Sequence, residues 1–210
     1  MHCTLRLLSA QLTAQDSPID WCGAVRLERA LSKQLPEAIS RSGGWMLFFG
    51  LETASERMIE HMGKDTQRET MSHILEENAQ AGIRNHTFYF FGFPTETVEN
   101  VQDTIDFLYA HQASIHSASP GEFVLECYSP GHRDPARFGV RRSIEKSEQD
   151  LAVHFGYELE SGIDAATVHT IGKQLLDDLP AKRFFQFYVH DVYFFTPVTC
   201  TLRVKRSHSS

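Results

Sequence analysis

The sequence predicts an α/β fold built on parallel strands. Short apolar segments alternate with helical patterns from residue 19 to residue 128, and the run 45–49 is apolar at every position, as in a strand covered on both faces. This alternation is typical of parallel strands joined by right-handed crossovers, in either an open α/β sheet or part of a β/α barrel. Beyond Pro130 the order changes, which indicates an α+β extension.

The first two strands are predicted at residues 19–25 and 45–49. The helix between them has Ser32 as a candidate N-cap and stops at 42–44. After the second strand, Thr53 and Glu56 fit a capping box for the next helix. Two helices are then predicted from apolar residues at helical spacing. The first has Met58, Ile59 and Met62, and the second has Met71, Ile74, Leu75 and Ala79 and is closed by Gly82.

The third strand is predicted at 86–91, before a Gly-Phe-Pro turn, and Thr97 is a candidate cap for the following helix. The fourth strand is predicted at 122–128, because Phe123, Leu125 and Cys127 alternate with other residues there. A last helix is indicated by apolar residues at helical spacing, namely Val168, Ile171, Leu175 and Leu176.

These patterns divide the chain into an N-terminal segment (1–18), a β/α region (19–142) and a C-terminal subdomain or extension (143–210). The extension includes aromatic stretches at 184–189 and 193–195, which favour core or a partner surface over a cofactor pocket. The serine-rich tail from residue 203 is expected to fray.

Charge and hydropathy exclude several functional classes. A net charge of -7 argues against generic binding to nucleic acid or anionic lipid. The longest apolar run is far shorter than the roughly 20 residues of a membrane-spanning helix, and the N-terminus lacks a signal-peptide pattern. We therefore expect a cytoplasmic protein with no membrane partner. The four cysteines are widely spaced, so local sequence predicts neither a disulfide framework nor a metal site.

Residues that follow parallel strands are the candidates for ligand binding, because ligands in such folds lie at the carboxyl ends of strands. Glu52 could accept hydrogen bonds from a ribose or pair with an ammonium group, or simply favour a helix N-terminus. Arg26 could hold a carboxylate or form a surface ion pair. The other candidates are Gly50, Gly92, Pro94, Glu96, Thr97 and Ser129.

Several of these positions belong to motifs that occur in one order. The motifs lie at 48–58, 62–64, 81–84 and 91–97, with weaker matches at 21–26, 128–129 and 134–140. Together they resemble the radical S-adenosylmethionine (SAM) superfamily, in the branch of cobalamin-binding radical SAM proteins and tRNA methylthiotransferases.

This resemblance implies a partial, incomplete β/α barrel and the cofactors SAM and a [4Fe-4S] cluster. It implies that Glu52 contacts the ribose or amino group of SAM, that Arg26 lies near the polar end of SAM, and that 92–97 shape the cofactor-side loop. Lys64 matches a family position without an assigned role.

The sequence departs from the family at the cluster. The family holds its cluster through a CxxxCxxC loop, and this sequence contains no such motif. We therefore expect a truncated radical SAM protein that is inactive as an isolated chain, with an exposed sheet edge that leaves it unstable or needs a protein partner. Two alternatives remain: a non-catalytic interaction module, and an unrelated barrel enzyme that uses Glu52 and Glu96 as acid and base. The substrate and the catalytic residues stay unassigned.

Overall fold

The computed structural model describes residues 2–17, 19–27, 34–144 and 153–178. Its first nine elements are α1 (His2–Ala14), β1 (Trp21–Val25), α2 (Leu35–Arg41), β2 (Gly44–Glu52), α3 (Glu56–His61), α4 (Arg68–Gln80), β3 (Arg84–Phe91), α5 (Val98–Ala110) and β4 (Ile115–Glu122). They are followed by β5 (Leu125–Glu126), α6 (Pro130–Arg133), a 3-10 turn (Ala136–Phe138), β6 (Val140–Ile144), β7 (His154–Leu159) and α7 (Ala165–Asp178).

Strands β1 to β4 form a parallel sheet in the order β1-β2-β3-β4. In this register Val25 pairs with Phe49, Phe49 with Thr87, and Thr87 with Ala118. The α/β fold with parallel strands is thus confirmed. Because all four strands run in the same direction, their carboxyl ends meet at one edge of the sheet.

A smaller antiparallel sheet follows, in the order β5-β7-β6. Together with α7 it gives residues 125–178 an α+β character, as the change of pattern after Pro130 predicts. Strand β6 runs across the position predicted to separate the β/α region from the extension, between residues 142 and 143. The division into three segments stays a prediction.

One face of the parallel sheet packs on the helices. Leu47, Phe49 and Leu51 of β2 are almost fully buried, and so are Tyr89 and Phe91 of β3. The helices contribute residues at helical spacing to the same core: Ile39 from α2, Met71, Ile74 and Leu75 from α4, and Val101, Phe107 and Leu108 from α5. Burial of this apolar face provides the main driving force for folding.

The opposite face of the sheet is more polar. His86 of β3 contacts two serines of β4, with Nδ1 2.7 Å from Ser117 Oγ and Nε2 3.2 Å from Ser119 Oγ. Burial, and to a smaller extent the charge of His116, lowers the pKa of His86 to about 4. The imidazole is therefore neutral at physiological pH, and its ring packs against Phe88 at a centroid distance of 4.7 Å.

The predicted fourth strand was wrong in position and direction. The fourth parallel strand is β4, at residues 115–122, while the predicted segment contributes only the two-residue β5, which is antiparallel to β7. Strand β4 carries Ser117, Ser119 and Pro120 and lacks an apolar alternation. Its serines are buried because they share hydrogen bonds with His86, which no local pattern reveals.

Two other local predictions need correction. Helix α3 is capped at Ser55, not at Thr53, whose hydroxyl lies 3.1 Å from Thr104 Oγ1. The segment 1–18, given no structure by the sequence, contains α1, whose Leu5 joins the core. The candidate cap Ser32, the aromatic stretches 184–189 and 193–195 and the tail from residue 203 lie outside the described residues.

The other expected helices are present. Gly82 closes α4 with φ +80°, and Thr97 occupies the N-cap of α5. In α7, Val168 is buried and Ile171 packs against the core. Among the described residues, none of the helices is both long enough and apolar enough to cross a membrane.

Replacing Asn85 with leucine is expected to lower the free energy of unfolding by about 3 kcal/mol. The buried Asn85 amide donates to the carbonyls of Leu75 and Ser114, at 2.7 and 2.8 Å, and accepts from Asn78 at 3.1 Å. Leucine has a similar volume but no amide, so it leaves the carbonyls of Leu75 and Ser114 and the side-chain N–H of Asn78 without their partner at residue 85. Urea denaturation would measure the change. Gln80→Leu, on the exposed end of α4, serves as the control and should leave the midpoint unchanged.

Candidate functional site

The carboxyl ends of the four parallel strands bring the predicted site residues to one edge. Arg26 follows β1 and is exposed. Glu52 ends β2, and Gly92 follows β3 directly. Four strand ends at one edge, three of them bearing residues selected from the sequence, define the candidate site.

Glu52 has an unusual backbone conformation and a charged partner. Its φ is +65°, which side chains other than glycine rarely adopt. Its carboxylate lies above Gly50, where a Cβ atom would come within 2.5 Å of Glu52 Oε1. Lys64, between α3 and α4, pairs with the same oxygen at 3.1 Å. Gly50 is therefore required for the position of this carboxylate, and Lys64 gains a partner that the sequence did not reveal.

The loop after β3 is held by its own buried carboxyl group. Gly92 has φ +83°, and its N–H donates to Glu96 Oε2 at 2.6 Å. Thr95 has φ +69° and donates its N–H to Ser161, while Pro94 is buried. Thr97 ends the loop, with its N–H donating to Asn100 Oδ1 at 3.1 Å. Glu96 thus closes the loop on itself and lies inside the protein.

The environment of Glu96 favours its neutral form. Burial raises its pKa to about 7, although the N–H groups of Gly92 and Phe93 and the charge of Arg57 act in the opposite direction. The second oxygen, Oε1, is buried and has no hydrogen-bond partner among the described residues. A carboxyl group in this position stabilises the loop best when it is protonated.

A polar network joins the loop after β2 to the loop after β3. Arg57 of α3 donates to Thr95 O at 2.5 Å and to Asn100 Oδ1 at 2.6 Å. Asn100 in turn donates to Ser55 Oγ at 3.0 Å, and Thr104 Oγ1 accepts from the N–H of Ala54 at 3.0 Å. Arg57 lies in one of the motifs that carry the resemblance, but no role was predicted for it.

Ser129 and Tyr128 were predicted to follow a fourth parallel strand, but they follow β5 of the antiparallel sheet instead. Ser129 caps α6, accepting from the N–H of His132 at 3.2 Å. Tyr128 is 73% exposed and has φ +61°. Only four described non-glycine residues have a positive φ, and three of them, Glu52, Thr95 and Tyr128, follow the ends of β2, β3 and β5. Backbone strain of this kind concentrates at ligand sites.

The structure includes no cluster of metal ligands in the part of the chain that it describes. No three histidine, cysteine or acidic side chains in that part lie close enough to hold a metal ion. Cys22 and Cys127 form no disulfide. These residues therefore do not fit a three-thiolate iron-sulfur site.

Two solved structures have a similar fold. TsrM of Kitasatospora setae, a radical SAM methyltransferase with cobalamin and a [4Fe-4S] cluster bound, matches 88% of this chain and 42% of its own chain, with TM-score 0.65 and 14% identity. Elp3 of the archaeon Methanocaldococcus infernus matches 57% of this chain and 28% of its own, with TM-score 0.50 and 9% identity. The resemblance to the radical SAM superfamily is thus confirmed at the level of the fold.

A curated relative adds a sequence match. An uncharacterized methyltransferase of Pyrococcus horikoshii is 26% identical over 126 residues, which are 60% of this chain and 26% of the relative. No family model matches the chain. The chain therefore spans about a quarter of the relative and less than half of TsrM.

Replacing Glu96 with glutamine is expected to remove a pH dependence of stability. The pKa of Glu96 is about 7 in the folded protein and 4.5 as the ordinary value, so its contribution is fully present below pH 4.5 and is lost as the pH rises through 7. The loss amounts to about 3 kcal/mol at most. Glutamine keeps an acceptor for Gly92 without a charge. The variant should therefore be more stable than wild type at pH 8.

Urea denaturation between pH 5 and pH 8 would measure this effect. Glu99→Gln, on the exposed first turn of α5, should keep the wild-type decline. An equal decline in Glu96→Gln would show that Glu96 is not its cause.

Proposed function

We propose that this chain is the SAM-binding portion of a radical SAM methyltransferase barrel. The observation that carries the proposal is the strained backbone at the carboxyl edge of the parallel sheet, where Glu52 and Thr95 both have a positive φ. The match to TsrM over 88% of the chain supports it, because the bound molecules of that protein include SAM-type ligands and cobalamin. The sheet would then belong to a partial barrel.

In this proposal Glu52 is the main ligand of SAM. Its side chain is 26% exposed, so the carboxylate is reachable and can accept hydrogen bonds from ribose hydroxyls or from the amino group. Lys64 pairs with this carboxylate at 3.1 Å and fixes its position. Arg26 lies at the end of β1, where its guanidinium can pair with the carboxylate of SAM. Residues 92–97 form the loop beside the cofactor, with Glu96 and Pro94 fixing its shape.

The iron-sulfur cluster does not fit the described residues, so no catalytic step is assigned to this chain. We propose that the isolated chain does not cleave SAM. Its four cysteines include no CxxxCxxC motif, and Cys3, Cys22 and Cys127 lie in different parts of the fold, on α1, on β1 and after β5. Activity would require cluster ligands that are not part of this chain.

The remaining alternatives make different use of the same residues. An acid and base pair of Glu52 and Glu96 would need both carboxyl groups at an open site, but Glu96 is fully buried and bonded to its own loop. A non-catalytic interaction module remains the second proposal. It would keep the fold, lack SAM binding and capture a protein partner in a pull-down.

Replacing Glu52 with glutamine is expected to weaken SAM binding at least about tenfold, because a charged acceptor of hydrogen bonds is lost. Saturation-transfer NMR with SAM would measure the affinity. Glu60→Gln, on the exposed surface of α3, serves as the matched control. Equal affinity of wild type and Glu52→Gln would contradict the proposed role, and no SAM binding by wild type would favour the interaction module.

Anaerobic reconstitution with iron, sulfide and SAM is expected to give neither a bound [4Fe-4S] cluster nor 5′-deoxyadenosine. The reason is that the chain lacks three suitably spaced thiolates. Absorption spectra and chromatography of the products would report the two outcomes. Formation of 5′-deoxyadenosine would show that the isolated chain is an active enzyme.

A further inference from the structure

A cavity of about 400 Å³ lies beside the candidate SAM site, and four of the residues that line it are phenylalanines. Its size falls within the usual range for small-molecule sites, roughly 300–1,000 Å³. Four phenylalanines form its walls, one each from the end of β3, the loop after β3, the loop after β4 and the 3-10 turn: Phe90, Phe93, Phe123 and Phe138. The site residues predicted from the sequence include none of these four.

The rings hold one another in place. Phe93 is central, with its centroid 5.0 Å from Phe123 at 70° and 6.2 Å from Phe138 at 82°. His61 adds a third contact to Phe93, at 5.8 Å and 86°. These are edge-to-face arrangements, which aromatic rings prefer. The walls of the cavity are therefore formed before any ligand enters.

The backbone fixes the same rings from outside. Phe93 lies between Gly92 and Thr95, both with positive φ, and Phe138 precedes Gly139, whose φ is +76°. A Cβ at Gly139 would lie 2.6 Å from Thr95 Cγ2, so only glycine allows the two turns to pack together. The position of Phe138 against Phe93 depends on this contact.

Apolar surface remains open inside the cavity. Phe90, Phe93 and Phe123 are only half-buried, and Val124 on the same wall is 44% exposed. Covering such surface is favourable by about 25 cal/mol per Å². The charged residues of the wall are Lys64, whose ammonium pairs with Glu52, and Glu126, and both side chains are exposed to solvent. These features suit an uncharged aromatic ring better than an ion.

Lys64 connects the cavity to the candidate SAM site. It lines the cavity and at the same time pairs with Glu52 at 3.1 Å. We propose that this cavity binds an uncharged aromatic ring of the acceptor substrate, next to the SAM bound at Glu52. The assignment of the ring to a substrate rests on the proposed function, whereas binding of the ring depends only on the cavity.

Indole is a suitable probe, with cyclohexanol as an aliphatic probe of similar width. Saturation-transfer NMR on the full chain should detect indole binding, at least roughly fivefold tighter than cyclohexanol binding because of the ring contacts. Phe123→Leu, which removes one ring at little cost in volume, should weaken indole binding by a similar factor. Val124→Trp, at an exposed position of the wall, should abolish it.

Phe155→Leu is the matched control, because Phe155 is half-buried and stacks on His132 away from the cavity wall. It should bind indole as wild type does. The proposal is overturned if wild type does not bind indole, if cyclohexanol binds equally well, or if Val124→Trp binds indole normally. Circular dichroism would confirm that each variant folds. If Phe123→Leu does not fold, Val124→Trp still provides the test.

Glu52→Gln separates this proposal from the proposed function. It should lose SAM affinity while its affinity for indole stays unchanged, because Glu52 does not line the cavity. Indole binding without any SAM binding by wild type would support the cavity and overturn the SAM site. SAM binding without indole binding would support the SAM site and overturn the cavity proposal.

Discussion

The arrangement of the site depends on the hydrogen bonds that α5 makes with the turn between β2 and α3. Asn100 and Thr104 are buried near the start of α5, and they bind Ser55 and Ala54 in that turn. Arg57 adds a bond back to the loop after β3. Two strand ends that only share a sheet edge are thereby held at a fixed separation. Buried amide and hydroxyl groups can do this because each has a partner, and removing one would leave the others unpaired.

The same region concentrates strained backbone. Glycine would relieve the positive φ of Glu52, Thr95 and Tyr128, yet each position carries a side chain. The surrounding contacts compensate: Lys64 pairs with Glu52, and the Thr95 N–H donates to Ser161. Residues in such conformations usually serve a purpose at a ligand site, since folding alone would favour glycine.

The sequence predicted much of the fold because apolar runs such as residues 45–49 indicate strands. Residues 45–49 do belong to β2, but Trp45 is 37% exposed and Phe48 is half-buried, so this strand is not covered on both faces along its whole length. It also placed Glu52 and Gly92 at strand ends, where the structure has them. It failed for β4, whose serines are buried only because His86 lies opposite them. The aromatic cavity was missed for a related reason: its rings come from three separate segments of the chain, around residues 90–93, 123 and 138, and only the fold brings them together.

Strand β4 has a further property, which concerns contacts between molecules. It is the last strand of the described parallel sheet, and it carries Pro120 and Gly121 near its end. Proline has no N–H to donate, and glycine contributes no side chain to a pairing surface. A strand of this composition is a poor template for edge-to-edge association. The polar sequence that hides β4 from pattern analysis therefore also protects the sheet against aggregation along that side.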